Sequence, residues 1–232
     1  MKPIHVFIRQ CYHSPNQALP NRSRPEWFDK QKVFENFKRT INSELADYTV
    51  IYDNYFNPNK WDSQLENVKI INEGTEACSF LKTLDYVLSL NLPDETIIYF
   101  LEDDYLHRPN WCEALIEGLS LADMASLYDH SDKYLHYPDL TSKLYVSKSC
   151  HWRTTPSCCN SYALKMGTLR ADIETHRKHS TNCANGISND HSKFTELWQR
   201  GRTLISAVPG FSTHCDGFVS PVINWEKIIN KI

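Results

Sequence analysis

The sequence predicts an α/β fold with a mostly parallel central sheet flanked by helices. Apolar runs bounded by turn formers alternate with amphipathic stretches up to about residue 122, the order of βαβ units. The run at residues 97–101, Ile-Ile-Tyr-Phe-Leu, is β-branched and aromatic with no turn former inside it, which marks a central strand covered on both faces. Directly after it stand Glu102, Asp103 and Asp104, at the carboxyl end of a strand, where open α/β sheets bind ligands.

The elements follow in order. Residues 4–8 form a first strand and run into a polar loop over residues 9–16. Val33, Phe34, Phe37, Ile41 and Leu45 share one face of a helix. Residues 48–52 form the second strand, ending at Asp53, and the Asn/Pro-rich segment 55–62 reads as irregular loop. Residues 68–71 are a third strand. Ala77, Phe80, Leu81, Leu84, Val87 and Leu88 make the clearest amphipathic helix, which Pro93 bars from continuing. After the central strand, Pro109 opens a helix carrying Trp111, Leu115 and Leu119. The second half has a strand at 144–147, a Ser/Thr/Cys-rich stretch at 149–161, a helix over 163–178 and a polar loop at 179–188. A helix from Asp190 then places Phe194, Leu197 and Trp198 on one face, with Gly201 as its stop. A strand at 203–208 and a turn leading to His214 close the series.

Bulk properties narrow the function. A chain of 232 residues with 41% hydrophobic content can bury a substantial core, and its net charge of −3 shows no basic face for nucleic acid. The first ten residues do not read as a signal peptide, and no apolar run reaches the ~18 residues of a membrane span. The eight cysteines are scattered without a CxxC, as expected for reduced thiols in a cytoplasmic protein. In that setting Asn21-Arg22-Ser23, a glycosylation acceptor pattern, would go unused.

Three adjacent carboxylates repel one another. Either they form a charged turn, or they serve a hard divalent cation together with substrate phosphates. His151-Trp152-Arg153 joins an aromatic face to hydrogen-bond donors, which suits a sugar, although Trp152 could equally be an ordinary buried ring. Asp53 is either a nucleotide contact or a turn former. His176, His179 and Cys183 have zinc-like spacing, and Cys150, His151, Cys158 and Cys159 could add ligands. Without tight paired motifs, solvent-facing histidines and buried thiols are the better account. No local signature marks a nucleophilic cysteine. The phosphate loop GxxxxGK[ST] and the dinucleotide motif GxGxxG are both missing from the sequence, against kinases and dinucleotide oxidoreductases.

Residues 68–74 (Val-Lys-Ile-Ile-Asn-Glu-Gly), followed by an Ala/Leu-rich helix and then residues 98–104 (Ile-Tyr-Phe-Leu-Glu-Asp-Asp), resemble the third-strand-to-metal path of GT-A glycosyltransferases, particularly the family-2-like inverting enzymes. Glu102-Asp103-Asp104 resembles their DXD element, and Asn189-Asp190-His-Ser-Lys-Phe194 resembles the helix start that supplies their base, with Asn189 where an acid is usual. The compact size is similar to small viral and bacterial glycosyltransferase domains, including one used by algal viruses on capsid protein. The resemblance implies a Rossmann-type, GT-A-like single domain, with residues 1–122 binding nucleotide-sugar and 123–232 the acceptor.

It also implies the chemistry: a metal-dependent inverting glycosyltransferase moving a sugar from a nucleoside diphosphate to a hydroxyl of a glycan or glycoprotein, in the cytoplasm (of a host, if the source is viral). Mn²⁺ or Mg²⁺ would be held by Asp104 and His214, and the donor by Arg9, Asp53, Glu102 and Asp103. Asp190 would be the base; the second half has no familiar acceptor motif, and it is on their own chemistry that Trp152 and Arg153 would meet the acceptor. A non-catalytic nucleotide- or glycan-binding module of the same fold is the alternative. His214 could instead be a surface histidine. Asp190 could simply cap its helix, a position that keeps a carboxylate ionised without raising its pKa.

Overall fold

Strand β1 (Ile4–Cys11) lies between β2 (Ala46–Asp53) and β4 (Ile97–Glu102), parallel to both, and β3 (Val68–Ile71) extends the parallel set beyond β2. The computed structural model describes residues 2–12, 23–55, 65–183 and 185–231. On the other side of β4, β9 (Tyr162–Lys165) is antiparallel to both β4 and β6 (Met124–Ser126). β10 (Leu204–Val208) follows parallel to β6, and β8 (His151–Thr154) and β7 (Leu144–Val146) finish the sheet in antiparallel fashion. The nine-stranded order is β3-β2-β1-β4-β9-β6-β10-β8-β7. A separate antiparallel ribbon joins β5 (Tyr105–His107) to β11 (Ser212–His214).

The period-two alternation of the strands sends side chains to two cores. Val6, Ile8, Tyr99 and Leu101 face α1 (Lys30–Thr40) and α3 (Trp111–Leu119), packing with Phe37, Trp111 and Leu115. Phe7, Ile51, Ile98 and Phe100 face α2 (Glu76–Ser89), α5 (Met166–Lys178) and α6 (Asp190–Gln199), against Phe80, Leu84, Leu169 and Phe194. Two short helices complete the chain, α4 (Asp132–Leu135) and α7 (Trp225–Ile229), the latter packing Trp225 and Ile229 on Val33 and Leu106.

Several expectations are corrected. β1 continues through Arg9 to Cys11 instead of ending at Ile8, because the ladder to β2 holds as far as Cys11 opposite Asp53. Helix α1 stops at Thr40, where Ile41 turns extended; Ile41 and Leu45 still pack on the core, but from the connecting turn. The stretch expected as one helix over 163–178 begins as β9, whose burial between β4 and β6 overrides its helical propensity. Trp198 is 72% exposed and does not share the buried face of Phe194 and Leu197. Strands β5, β6, β8 and β11 were not anticipated; with three or four residues each, they are too short to show a period. Residues 13–16, Asn21-Arg22 and residues 56–62 lie outside the described residues.

Candidate active site

The candidate site forms at the carboxyl ends of β1, β2 and β4. Glu102 ends β4, and Asp103 and Asp104 make the tight turn into β5. Pairing of β5 with β11 sets His214 opposite Tyr105, and the Cys215 amide donates to the Asp104 carbonyl at 2.8 Å. His214 Nε2 therefore reaches Asp104 Oδ2 at 2.9 Å, while Nδ1 meets Asp216 at 3.1 Å and the ring stacks on Tyr105 with centroids 4.8 Å apart. Arg24 Nη1 donates to the same Oδ2 at 2.6 Å. Oδ1 of Asp104 is buried with no hydrogen-bond partner among the described residues. Burial opposes ionisation, but His214 and then Arg24 hold the Asp104 carboxyl far below the usual range. Burial likewise works against the charged His214, yet Asp104 and Asp216 raise its pKa well above normal.

The other two carboxylates of the triplet face elsewhere. Asp103 accepts from Lys30 Nζ at 2.6 Å and from the Cys11 amide at 3.1 Å. Glu102 accepts from Arg9 Nη2 at 3.0 Å and from the Ser161 hydroxyl at 3.2 Å. Burial, reinforced by Asp104 and Glu76 against the pull of Arg9, lifts its carboxyl to about 8. Arg9 also donates to Glu76 at 2.7 Å, and burial is outweighed by these two carboxylates so that its pKa rises. Asp53 accepts the amides of Tyr55, Glu73 and Gly74 at 3.2, 3.1 and 3.0 Å, which is the turn-forming role.

Asp190 does not cap its helix. Asn189 does, accepting the Ser192 amide at 3.1 Å, and the residue where the resemblance has an acid thus relieves Asp190 of that work. Asp190 Oδ1 accepts from Lys193 Nζ at 3.0 Å. The expectation of an unraised pKa is overturned: burial, with Glu76 and Cys159 adding to it against Lys193, lifts the carboxyl to about 7. Lys193 is fully buried over the rings of Phe80, Tyr162 and Phe194 and also donates to Asn160. Asn160 donates to Glu76 at 2.8 Å, so a polar chain runs from Asp190 through Lys193, Asn160, Glu76 and Arg9 to Glu102. Cys159 sits beside both centres. Burial would raise its thiol, but hydrogen bonds from His130 and His214 draw it down to about 6.

Two residues offered for the acceptor part company. Trp152 has no exposed surface: its indole lies against Gly118 and donates to Ser147 at 3.1 Å, so it belongs to the core and offers no face to a sugar. Arg153 pairs with Asp129 at 2.7 Å and lies over Tyr134. Of the zinc-spaced residues, His176 bonds the Tyr162 hydroxyl at 2.8 Å and His179 bonds Glu196 at 2.8 Å, so the imidazoles serve different partners. None of the eight cysteines is in a disulfide. Sequence reasoning missed Arg24, Lys30, Glu76, Asn160 and Lys193, and considered Cys159 only as a zinc ligand. The one signal available for Lys193 was its place three residues after Asp190, a spacing that puts both on one helix face.

Among the described residues no group of three or more His, Cys, Asp or Glu is placed to hold a metal, and no helix is long and apolar enough to cross a membrane. No protein-family model matches the chain, and no curated protein sequence matches it. Among solved structures, GalNAc-T7 with UDP, GalNAc and Mn²⁺ superposes with a TM-score of 0.55 at 11% identity, over 92% of this chain and 44% of that one. The chain thus spans less than half the length of that neighbour. A CMP:2-keto-3-deoxy-manno-octonic acid synthetase complexed with CTP matches at a TM-score of 0.48 and 15% identity, covering 99% and 98% of the two chains. A mostly parallel sheet flanked by helices and a GalNAc-T7-like course over nearly its whole length give this chain a GT-A-like, Rossmann-type α/β fold.

Proposed function

We propose that the chain is a metal-dependent inverting glycosyltransferase that moves a sugar from a nucleoside diphosphate to a hydroxyl of a glycan or glycoprotein. The observation that carries this is the junction of Asp104 with His214 at the carboxyl end of β4, where one buried carboxylate oxygen is left without a partner among the described residues. A buried acceptor oxygen is costly to leave unsatisfied, and a cation would satisfy it. Asp104, and His214 once it has given up its proton, would hold the cation, Mn²⁺ or Mg²⁺, with substrate phosphates completing the sphere. When bound, the cation would neutralise charge on the diphosphate leaving group.

The protein's own groups supply the rest. Asp190 takes the proton of the acceptor hydroxyl as it attacks from the face opposite the diphosphate. A carboxylate with a pKa of about 7 is matched to that task, since it is ionised near neutrality yet basic enough to accept. Lys193 holds it in place. Arg9, Glu102 and Asp103 order the donor side within residues 1–122, and the acceptor is assigned to residues 123–232, with Arg153 there.

The test is a thermal-shift screen of the full chain with UDP, GDP, dTDP and CDP, each with and without Mn²⁺. A ligand at 100 times its Kd stabilises by about 2.7 kcal/mol. One nucleotide is expected to raise Tm only with Mn²⁺, and Asp104→Asn is expected to abolish that shift while leaving the far-UV spectrum unchanged. Full Mn²⁺-dependent stabilisation in Asp104→Asn would remove Asp104 from the metal site. With the donor in hand, NMR of the product is expected to show inverted anomeric configuration, and retention would exclude this mechanism.

A further inference from the structure

Arg24 sits where a cation would be wanted. Its Nη1 donates to Asp104 Oδ2 at 2.6 Å and to the Cys215 carbonyl at 2.8 Å, and its guanidinium lies 4.6 Å from the centre of the Phe28 ring. It shares that carboxylate oxygen with His214 Nε2, while the other oxygen has no partner among the described residues. A divalent ion taken up by Asp104 would find this guanidinium within hydrogen-bond length of its ligand. Like charges at such separations repel, more strongly in a half-buried setting than in water. Arginine cannot relieve the conflict by losing a proton. It has to move, and a side chain that is 29% exposed has room to do so.

What arrives with the ion answers the displaced charge. A diphosphate presents paired anionic oxygens that match the planar donor fork of a guanidinium. Lys30, the neighbouring cation, is committed to Asp103 at 2.6 Å and to the Cys11 carbonyl at 2.8 Å.

We propose that Arg24 is a diphosphate-binding residue: it occupies Asp104 until the cation enters and then transfers its hydrogen bonds to the diphosphate. This rests on the assignment of Asp104 and His214 to the cation and adds a residue that the acidic triplet does not identify. The competing roles give opposite signs for two ligands, and that makes the proposal testable before any donor is known. The full chain, Arg24→Gln and Arg24→Lys are titrated calorimetrically with Mn²⁺ alone, and then with inorganic pyrophosphate at saturating Mn²⁺.

Arg24→Gln is expected to bind Mn²⁺ alone about tenfold more tightly and pyrophosphate about tenfold more weakly, the scale of one charge-assisted hydrogen bond. Arg24→Lys, which keeps the charge but not the fork, is expected to bind Mn²⁺ alone much as the wild type does and still to lose pyrophosphate affinity. Unchanged or weaker Mn²⁺ binding in Arg24→Gln overturns the proposal, and so does unchanged pyrophosphate affinity. A wild type that binds no Mn²⁺, or Mn²⁺ binding indifferent to Asp104→Asn, overturns the cation assignment itself and this inference with it.

Discussion

A carboxylate in the first turn of a helix is ordinarily favoured in its charged form by the macrodipole. Asp190 departs from that rule because it is partly buried and lies near Glu76 and Cys159, an effect that one buried lysine does not offset. If Asp190 is the base, kcat/KM should climb as pH rises through about 7 and fall away below it, since only the ionised form accepts a proton. The same shift acts on stability with a definite sign. A folded-state pKa above the ordinary carboxyl value means that this group's contribution is full at low pH and is lost as pH rises through about 7. Asp190→Asn should reduce turnover by roughly 10²–10⁴-fold and flatten that part of the stability–pH curve, while Asn189 still caps the helix. Near-normal turnover in the variant would return Asp190 to a structural role. At this scale Asp104 was singled out by its place just after the central strand, whereas His214 and Asp190 were singled out by the resemblance to GT-A enzymes and not by a local pattern. Arg24 and Glu76 were not, because a lone charge in a loop or a first turn looks the same whether it faces water or a partner across the sheet.

Among the elements, those with a full period were readable and the short ones were not. Strand β3 has the expected limits, and α2 begins from the Thr75 cap as its apolar stripe requires. Strand β9 was hidden because Tyr162, Ala163 and Leu164 continue without a break into a helical pattern, and only the neighbours β4 and β6 decide otherwise. Strand β8 was hidden by its polar residues, yet its Trp152 fixes the far half of the sheet to α3. A Cβ on Gly118 would lie 2.7 Å from that indole. Gly118→Ala should therefore destabilise the protein by ~1–3 kcal/mol through overpacking, seen as a lowered denaturant midpoint with unchanged m-value. Gly201→Ala is the control of opposite kind. Nothing lies within 4 Å of a Cβ there, but φ is +86°, so its cost of about 1–2 kcal/mol comes from the backbone alone. Equal tolerance of both changes would mean that α3 does not press on Trp152 as closely as described.

For the molecule as a whole, alternation of strands and helices was enough to indicate the parallel half, since βαβ order leaves few topologies open. The antiparallel half follows from long-range pairings that leave no local trace. The β5–β11 ribbon matters most among them, because Asp104 and His214 are separated by 110 positions and meet only there. Asp104 belongs to the turn that opens β5 and His214 to the end of β11, so neither half of the chain holds both. If Asp104 and His214 hold the proposed cation, a refolding chain must bring these distant segments together before it can bind the ion, and such non-local closures come late. In stopped-flow refolding, Mn²⁺ binding is accordingly expected to recover after the far-UV signal of the helices, and simultaneous recovery would mean that the ribbon is set early. On that reading, affinity for the ion would serve as a clock hand for one closure: a chain whose β5–β11 ribbon has not yet paired could not sequester metal, and the gain of that capacity would time the pairing.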